Sequence, residues 1–239
     1  MIKRIAGFLL VITLCGCGTT SKFVYPSNQK ELVKLSDSPK YDCAVAVLPF
    51  EEMRKDDNTI GTLFLYYIPL VPYGYVTYDR PDAARSFVSV NEFDFNVTDD
   101  LARASVTSLR RSGLFKDVFF TYGGERDKSE LTLTGEVYST MYKGRVFSYG
   151  LSIVAPIFWL LGVPYGTSTD ELIFKLCLKR NSDGKILWEY SYSGSEYIVQ
   201  GLYYNMGRDV RNYVILMETA MNEAAKDIDK SLQKNGDRK

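Results

Sequence analysis

The chain has 239 residues, with 29 Lys and Arg balanced by 29 Asp and Glu, 46% hydrophobic residues and 24% charged ones. This is the make-up of a chain that folds around a core rather than a disordered or polytopic membrane protein, and the balanced charge gives no basic field for nucleic acid. Histidine is absent, which removes the commonest general base near neutral pH and the commonest neutral metal ligand, so neither a hydrolase triad nor a zinc site is expected.

The amino terminus opens with Lys3 and Arg4, followed by the apolar run Ile5 to Leu14 and then small residues. That order is a secretory signal, and the run is shorter than the roughly 20 residues that span a bilayer. Leu14, Cys15, Gly16 and Cys17 resemble the lipobox of bacterial lipoproteins, in which a cysteine preceded by a small residue is acylated and becomes the new amino terminus. Cys17 fits, with Gly16 before it and Leu14 three residues upstream, whereas Cys15 would put bulky Leu14 at the cleavage position. The resemblance implies a signal peptide at 1–16, a lipid anchor on Cys17 and, because Gly18 rather than Asp follows, an outer-membrane protein facing the periplasm. Residues 17–40, polar and scattered with Ser, Asn and Pro, read as a lipidated tether. A single domain is expected over 41–234, with a polar tail at 235–239.

Within that domain, Cys43 to Leu48 is a continuous β-rich apolar run closed by Pro49 and reads as a central strand. The charged stretch 51–59 reads as a solvated loop. Thr98, Asp99 and Asp100 cap a helix over about 97–112 that Gly113 stops. Lys116 to Tyr122 and Leu131 to Tyr142 are rich in β-branched and aromatic residues and predict strands, with Gly135 in the second marking a bulge. Glu171 to Lys179 and Lys185 to Ser193 flank an Asp-Gly turn and predict a hairpin. Val210, Val214, Met217, Met221, Ala224, Ile228 and Leu232 recur at helical spacing and predict a long closing helix. The expected fold class is α+β, a mostly antiparallel sheet of about five strands with two main helices.

Taken in order, Val45 to Glu52, Leu109 to Val118, Leu131 to Val137 and Asp183 to Gly194 resemble a group of periplasmic domains typified by the amino-terminal domain of TolB, the secretion lipoprotein CsgG and the synthase activator LpoB. The resemblance implies a domain that binds other envelope proteins and has no active site of its own. Two apolar inserts depart from it, 60–78 and 146–166, which share the tetrapeptide Val-Pro-Tyr-Gly at Val71 to Gly74 and Val163 to Gly166. Neither alternates polar and apolar residues as a membrane β-barrel hairpin must, and Pro69, Pro72, Pro156 and Pro164 oppose long helices and central strands.

The inserts carry the candidate interface, Phe64, Tyr67 and Val71 in the first and Phe158, Trp159, Leu160, Leu161 and Val163 in the second. Cys43 and Cys177 are read as two buried thiols, with a disulfide as the alternative. The acids at Glu51, Glu52, Asp56 and Asp57 and at Asp99 and Asp100 read as a loop and a helix cap rather than a metal or catalytic cluster. The eighteen tyrosines suit strand packing or a recognition surface. No cofactor is expected. The partners are the membrane, through the lipid, and an envelope protein or a second copy. The alternative is a carrier of small apolar ligands, or an enzyme, with a cleft lined by Phe64, Tyr67, Phe158 and Trp159.

Overall fold

The computed structural model describes residues 19–56, 58, 61–82 and 91–234; the signal peptide, Cys17 and the tail at 235–239 lie outside the described residues. The fold is α+β. Its strands are β1 (Thr19–Lys22), β2 (Tyr41–Val47), β3 (Glu51–Glu52), β4 (Tyr73–Tyr78), β5 (Asn91–Asp94), β6 (Phe115–Phe120), β7 (Leu131–Ser139), β8 (Tyr142–Phe147), β9 (Gly166–Arg180) and β10 (Ile186–Gln200). Its helices are α1 (Val97–Ser112), the short α2 (Pro156–Leu160) and α3 (Asp209–Lys234).

Among the described residues, eight strands form one mixed sheet. The path β4-β8-β9-β7-β2-β6 is extended by β10 on the other side of β9 and by β3 on β7, while β1 and β5 pair separately and in parallel. The expectation of a mostly antiparallel sheet of about five strands is matched only roughly, because eight strands take part and some of them pair in parallel. The hairpin around β9 is antiparallel, but β2 runs parallel to both β6 and β7. Pairing of β2 with β6 in parallel is compatible with the connection between them, which is long and passes last through α1 on one face of the sheet before it returns as β6.

α1 and α3 cover one face of the sheet. Leu101, Leu109, Met217, Met221 and Ile228 pack there on Val45, Val47, Leu133, Phe174, Leu176 and Leu178. α1 occupies the residues its sequence predicts. Asp100 Oδ2 accepts the Asn96 backbone N–H at 2.8 Å, and Gly113 ends the helix at φ +72°. A side chain at Gly113 would also collide with the Ser36 carbonyl, 2.2 Å from the position of its Cβ.

Three other expectations change. The segment read as a tether is docked along the helices: Phe23 stacks on Phe95 at 4.6 Å, the Ser27 N–H donates to Glu218 Oε1 at 2.6 Å, and the Val33 N–H donates to Asn222 Oδ1 at 2.7 Å. In the charged stretch read as solvated loop, Arg54 is buried and chelated by Glu52 (Nε–Oε1 2.8 Å, Nη2–Oε2 2.6 Å) and by Asp82 (Nη1–Oδ1 2.7 Å), and it donates to Thr140 Oγ1. Two carboxylates with good geometry are what a guanidinium needs to stay charged inside a protein.

Gly135 is not a bulge. β7 and β9 keep register from Leu131 to Val137, and the shift falls between Val137 and Ser139. The glycine instead admits the Phe50 ring, whose atoms lie 2.6 Å from where a Cβ would sit. Gly135→Ala should therefore destabilise the protein by roughly 1–3 kcal/mol through overpacking, and Phe50→Leu in the same chain should recover part of the loss. Urea denaturation measures both; an unchanged midpoint for Gly135→Ala alone would mean that the Phe50 ring gives way without cost.

Candidate functional site

The strand β9 is longer than the helical layer. From Leu172 onward its inward side chains are apolar and lie under α1 and α3, but the same face continues toward its start as Asp170 and Ser168, both fully buried. The amino end of α3 meets them. Ser168 Oγ donates to Asp209 Oδ1 at 2.7 Å, Gln200 donates to the same oxygen, and Asn212 donates to Asp170 Oδ2. Tyr213 closes the cluster by donating to the Thr140 carbonyl at 2.9 Å. Asp170 Oδ1 has no hydrogen-bond partner among the described residues. This polar plug ends the core and fixes β9, β10 and α3 to one another where the inserts begin.

Beyond the plug the two inserts build one end of the domain together. Neither stays a loop throughout. Tyr73 to Tyr78 is an edge strand, β4, on β8, and the second insert begins inside β8 and ends where β9 starts. Proline is compatible with this because Pro72 and Pro164 precede the paired residues and β4 lies at an edge. The shared tetrapeptides have one structural meaning. Each delivers its glycine beside the same residue of β8, Gly74 from one side and Gly166 from the other, both opposite Val146. The approach is close, since a Cβ on Gly166 would lie 2.3 Å from the Arg145 carbonyl oxygen.

The inserts are stitched by hydrogen bonds between their loops. The Leu70 N–H donates to the Gly150 carbonyl at 2.8 Å, the Ser148 N–H to the Pro72 carbonyl at 2.9 Å, and Ser152 Oγ to the Tyr67 carbonyl at 2.6 Å. Trp159 donates from its indole N–H to the Phe147 carbonyl at 3.1 Å and packs on Tyr66 and Tyr165. Burial and the neighbouring Asp209 carboxylate push the Tyr165 hydroxyl up to about 12. The loop after β10 joins in, with Tyr203 donating to the Leu160 carbonyl at 2.9 Å.

The expected interface residues accordingly divide. Phe64 is 64% exposed and Leu161 75%, and Tyr67, Leu160 and Phe158 are exposed as well, whereas Val71, Trp159 and Val163 are half-buried and serve to hold the inserts together. Because Phe64, Tyr67 and Phe158 are open to solvent, they form surface rather than an enclosed cleft. Two further residues had no signal in the sequence. Leu70 is 90% exposed and Ile153 76%, both in loops held in place by left-handed residues: Leu70 itself at φ +69°, Tyr149 at +53° and Ser152 at +51°. A non-glycine residue in that region costs on the order of 1 kcal/mol, and such strain persists where surrounding contacts enforce it.

Elsewhere, Cys43 on β2 and Cys177 on β9 stand as half-buried thiols without a disulfide, with burial raising the Cys177 thiol. The hollow beside Cys177, about 240 Å³, is lined by polar side chains such as Glu136, Lys175 and Glu189. A groove of about 510 Å³ runs between Ser27, Asn28 and the Glu218 face of α3. Among the described residues no cluster of His, Cys, Asp or Glu could hold a metal ion, and no helix is long and apolar enough to cross a membrane.

No family model matches the chain, and no curated protein matches its sequence. Solved structures overlay on it at low identity. They include protein XCC0632 from Xanthomonas campestris, of family DUF330, at 10% identity and TM-score 0.44, covering 91% of this chain and 98% of that one. The PelC dodecamer from Paraburkholderia phytofirmans gives 13% identity and TM-score 0.40, covering 80% and 92%. Lipoprotein GNA1162 from Neisseria meningitidis gives 15% identity and TM-score 0.33, covering 77% and 98%.

The plug makes a pH prediction. Burial is the main cause, with the Asp209 carboxylate adding to it and the Asn212 hydrogen bond opposing, that pushes the Asp170 carboxyl well above the usual carboxylate range. Its folded value lies above the unfolded one of about 3.9, so its contribution to stability is complete below the unfolded value and is lost as pH rises through the folded one. Asp170→Asn, neutral at every pH and of the same shape, should raise the denaturation midpoint at pH 8 and change it little at pH 4. An equal effect at both pH values would mean that ionisation of Asp170 is not what the fold resists.

Proposed function

We propose that the chain is a lipid-anchored protein of the bacterial outer membrane, facing the periplasm, that acts by binding an envelope protein or a second copy of itself rather than by catalysis. The anchor follows from the resemblance of Leu14 to Cys17 to a lipobox, and the membrane from Gly18 at the next position. The non-enzymatic reading draws on the absence of histidine from the sequence and on the resemblance to envelope-binding periplasmic domains.

The observation that carries protein binding is the edge of β10. From Trp188 to Gln200 this strand pairs in continuous register with β9, and among the described residues no strand covers its other side. Ser191, Ser193, Ser195 and Tyr197 are exposed along it. Proteins usually shield such an edge with lysine, proline or a covering segment, since its unpaired N–H and C=O groups are a template for another strand. An open edge of this length is suited to strand addition by a partner.

Two measurements test the reading. In cells labelled with palmitate, Cys17→Ser should lose the label and remain unprocessed while Cys15→Ser is labelled normally; the reverse pattern would move the anchor to Cys15 and undo the assignment. In crosslinked envelopes the parent chain should be recovered with a partner or with itself, and Ser193→Lys with Ser195→Lys, which place charge on the edge, should weaken that association roughly tenfold without moving the thermal midpoint. Recovery of neither, or equal recovery with the charged edge, would defeat the binding reading.

A further inference from the structure

The apolar end of the domain is a separate surface from the β10 edge. Its outermost side chains are Leu70, Ile153, Ile157, Leu160, Leu161 and Phe64, all exposed. Around them stand Tyr67, Tyr203 and Tyr204, also exposed. The three segments that build this end, 61–78, 144–169 and 197–208, contain no acidic residue, and their only charges are Arg145 and Arg208, both exposed. An aliphatic tip, a surround of tyrosine and a basic rim match, in that order, the acyl region, the interface and the anionic headgroups of a lipid leaflet. A protein interface core would show no reason to exclude acids from its rim.

The course of the amino-terminal segment places the lipid at the same end. Tyr41 donates to Asp229, Val33 donates to Asn222 and Ser27 donates to Glu218, so following the chain backward leads along α3 toward its amino end. Phe23 continues the progression through Phe95 to Tyr213, with ring centroids at 4.6 and 5.4 Å. Beyond Tyr213 lies Asp209, bonded to Gln200 at the end of β10, and the next loop carries Tyr203 and Tyr204. β1 begins at Thr19, two residues after Cys17, a reach of about 7 Å. With Thr19 already paired on β5, a lipid on Cys17 would be joined over two residues to a segment that leads to the amino end of α3, the end that carries the apolar tip.

We infer that this tip is a membrane foot: with Cys17 acylated, the exposed aliphatic side chains of the two inserts enter the leaflet that holds the lipid and fix the orientation of the domain. The inference rests on the anchoring reading above. It sets the turn Asn181 to Lys185 far from the bilayer, since β9 runs from Gly166 at the foot to Arg180 at that turn, about 45 Å at strand rise. The foot is preformed, because its loops are bonded to each other, so docking orders little that is not already ordered.

The test uses the mature acylated chain on vesicles of phosphatidylethanolamine and phosphatidylglycerol, with part of the lipid replaced by a species brominated in the acyl chain. Two exposed positions receive an added tryptophan, Leu161→Trp in the foot and Ser182→Trp at the distant turn, and the added emission is read against the parent. Quenching at 161 with none at 182 is the expected result. In a second pair, Leu70→Asn with Ile153→Asn should shift the docked fraction of the 161 reporter roughly tenfold toward the unquenched state while flotation and the thermal midpoint stay unchanged. Floating vesicles with position 161 silent, or with 161 and 182 equally quenched, overturn the foot and leave the anchor standing; the first of these would assign the tip to a protein. A chain that neither floats nor is quenched defeats both readings.

Discussion

Much of this molecule follows from one strand outrunning the layer that covers it. β9 spans Gly166–Arg180, and α1 and α3 can supply apolar cover only to the part that begins at Leu172. A sheet face left uncovered must be wet, plugged or roofed. Here it is plugged by Ser168, Asp170, Asp209 and Asn212 and extended sideways by β8 and β4. The second half of β9 makes an ordinary two-layer domain. The first half carries a platform whose shape owes nothing to the helices.

That division explains what could be read from the sequence. The helices were legible because their apolar residues must repeat at the helical period to meet one layer of sheet, and the turn at Asp183 and Gly184 was legible because it needs a positive φ, which Gly184 adopts at +69°. The extent of the hairpin was not, because from Gly194 to Gln200 β10 no longer alternates against a core. β4 was hidden for a related reason: Tyr-Gly-Tyr-Val-Thr-Tyr alternates exposed and buried positions, yet nearly every residue in it counts as apolar. Parallel pairing of β2 with β7 depends on neighbours distant in sequence and leaves no local mark.

At the platform, composition showed that the inserts are unusual but not which residues hold and which present. Trp159 is among the expected contact residues, yet its N–H is committed to the Phe147 carbonyl and its ring to Tyr66 and Tyr165. Leu70 lies between Pro69 and Pro72 and had no periodic signal, yet among the described residues it is the most exposed large hydrophobic side chain at that end. The tyrosines divided in the same manner. Tyr190 and Tyr192 lean on the core and Tyr190 donates to Glu223, while Tyr197, Tyr203 and Tyr204 face solvent. Only tertiary partners separate the two groups.

A surface like this one has to be stiff to be useful. Loose apolar loops would collapse onto the nearest hydrophobic surface or recruit another molecule without selectivity. Leu70, Tyr149 and Ser152 are held in left-handed conformations, and each would relax to a lower-energy backbone if its loop came free of its neighbour, so the strain by itself favours release. The reciprocal bonds from Leu70 to Gly150 and from Ser152 to Tyr67 prevent that release, and the paired glycines beside Val146 tie both loops to one strand. The strain at the tip is thus supported by the same β8 that extends the uncovered half of β9, so rigidity reaches the apolar end through sheet hydrogen bonds and does not depend on the hydrophobic core.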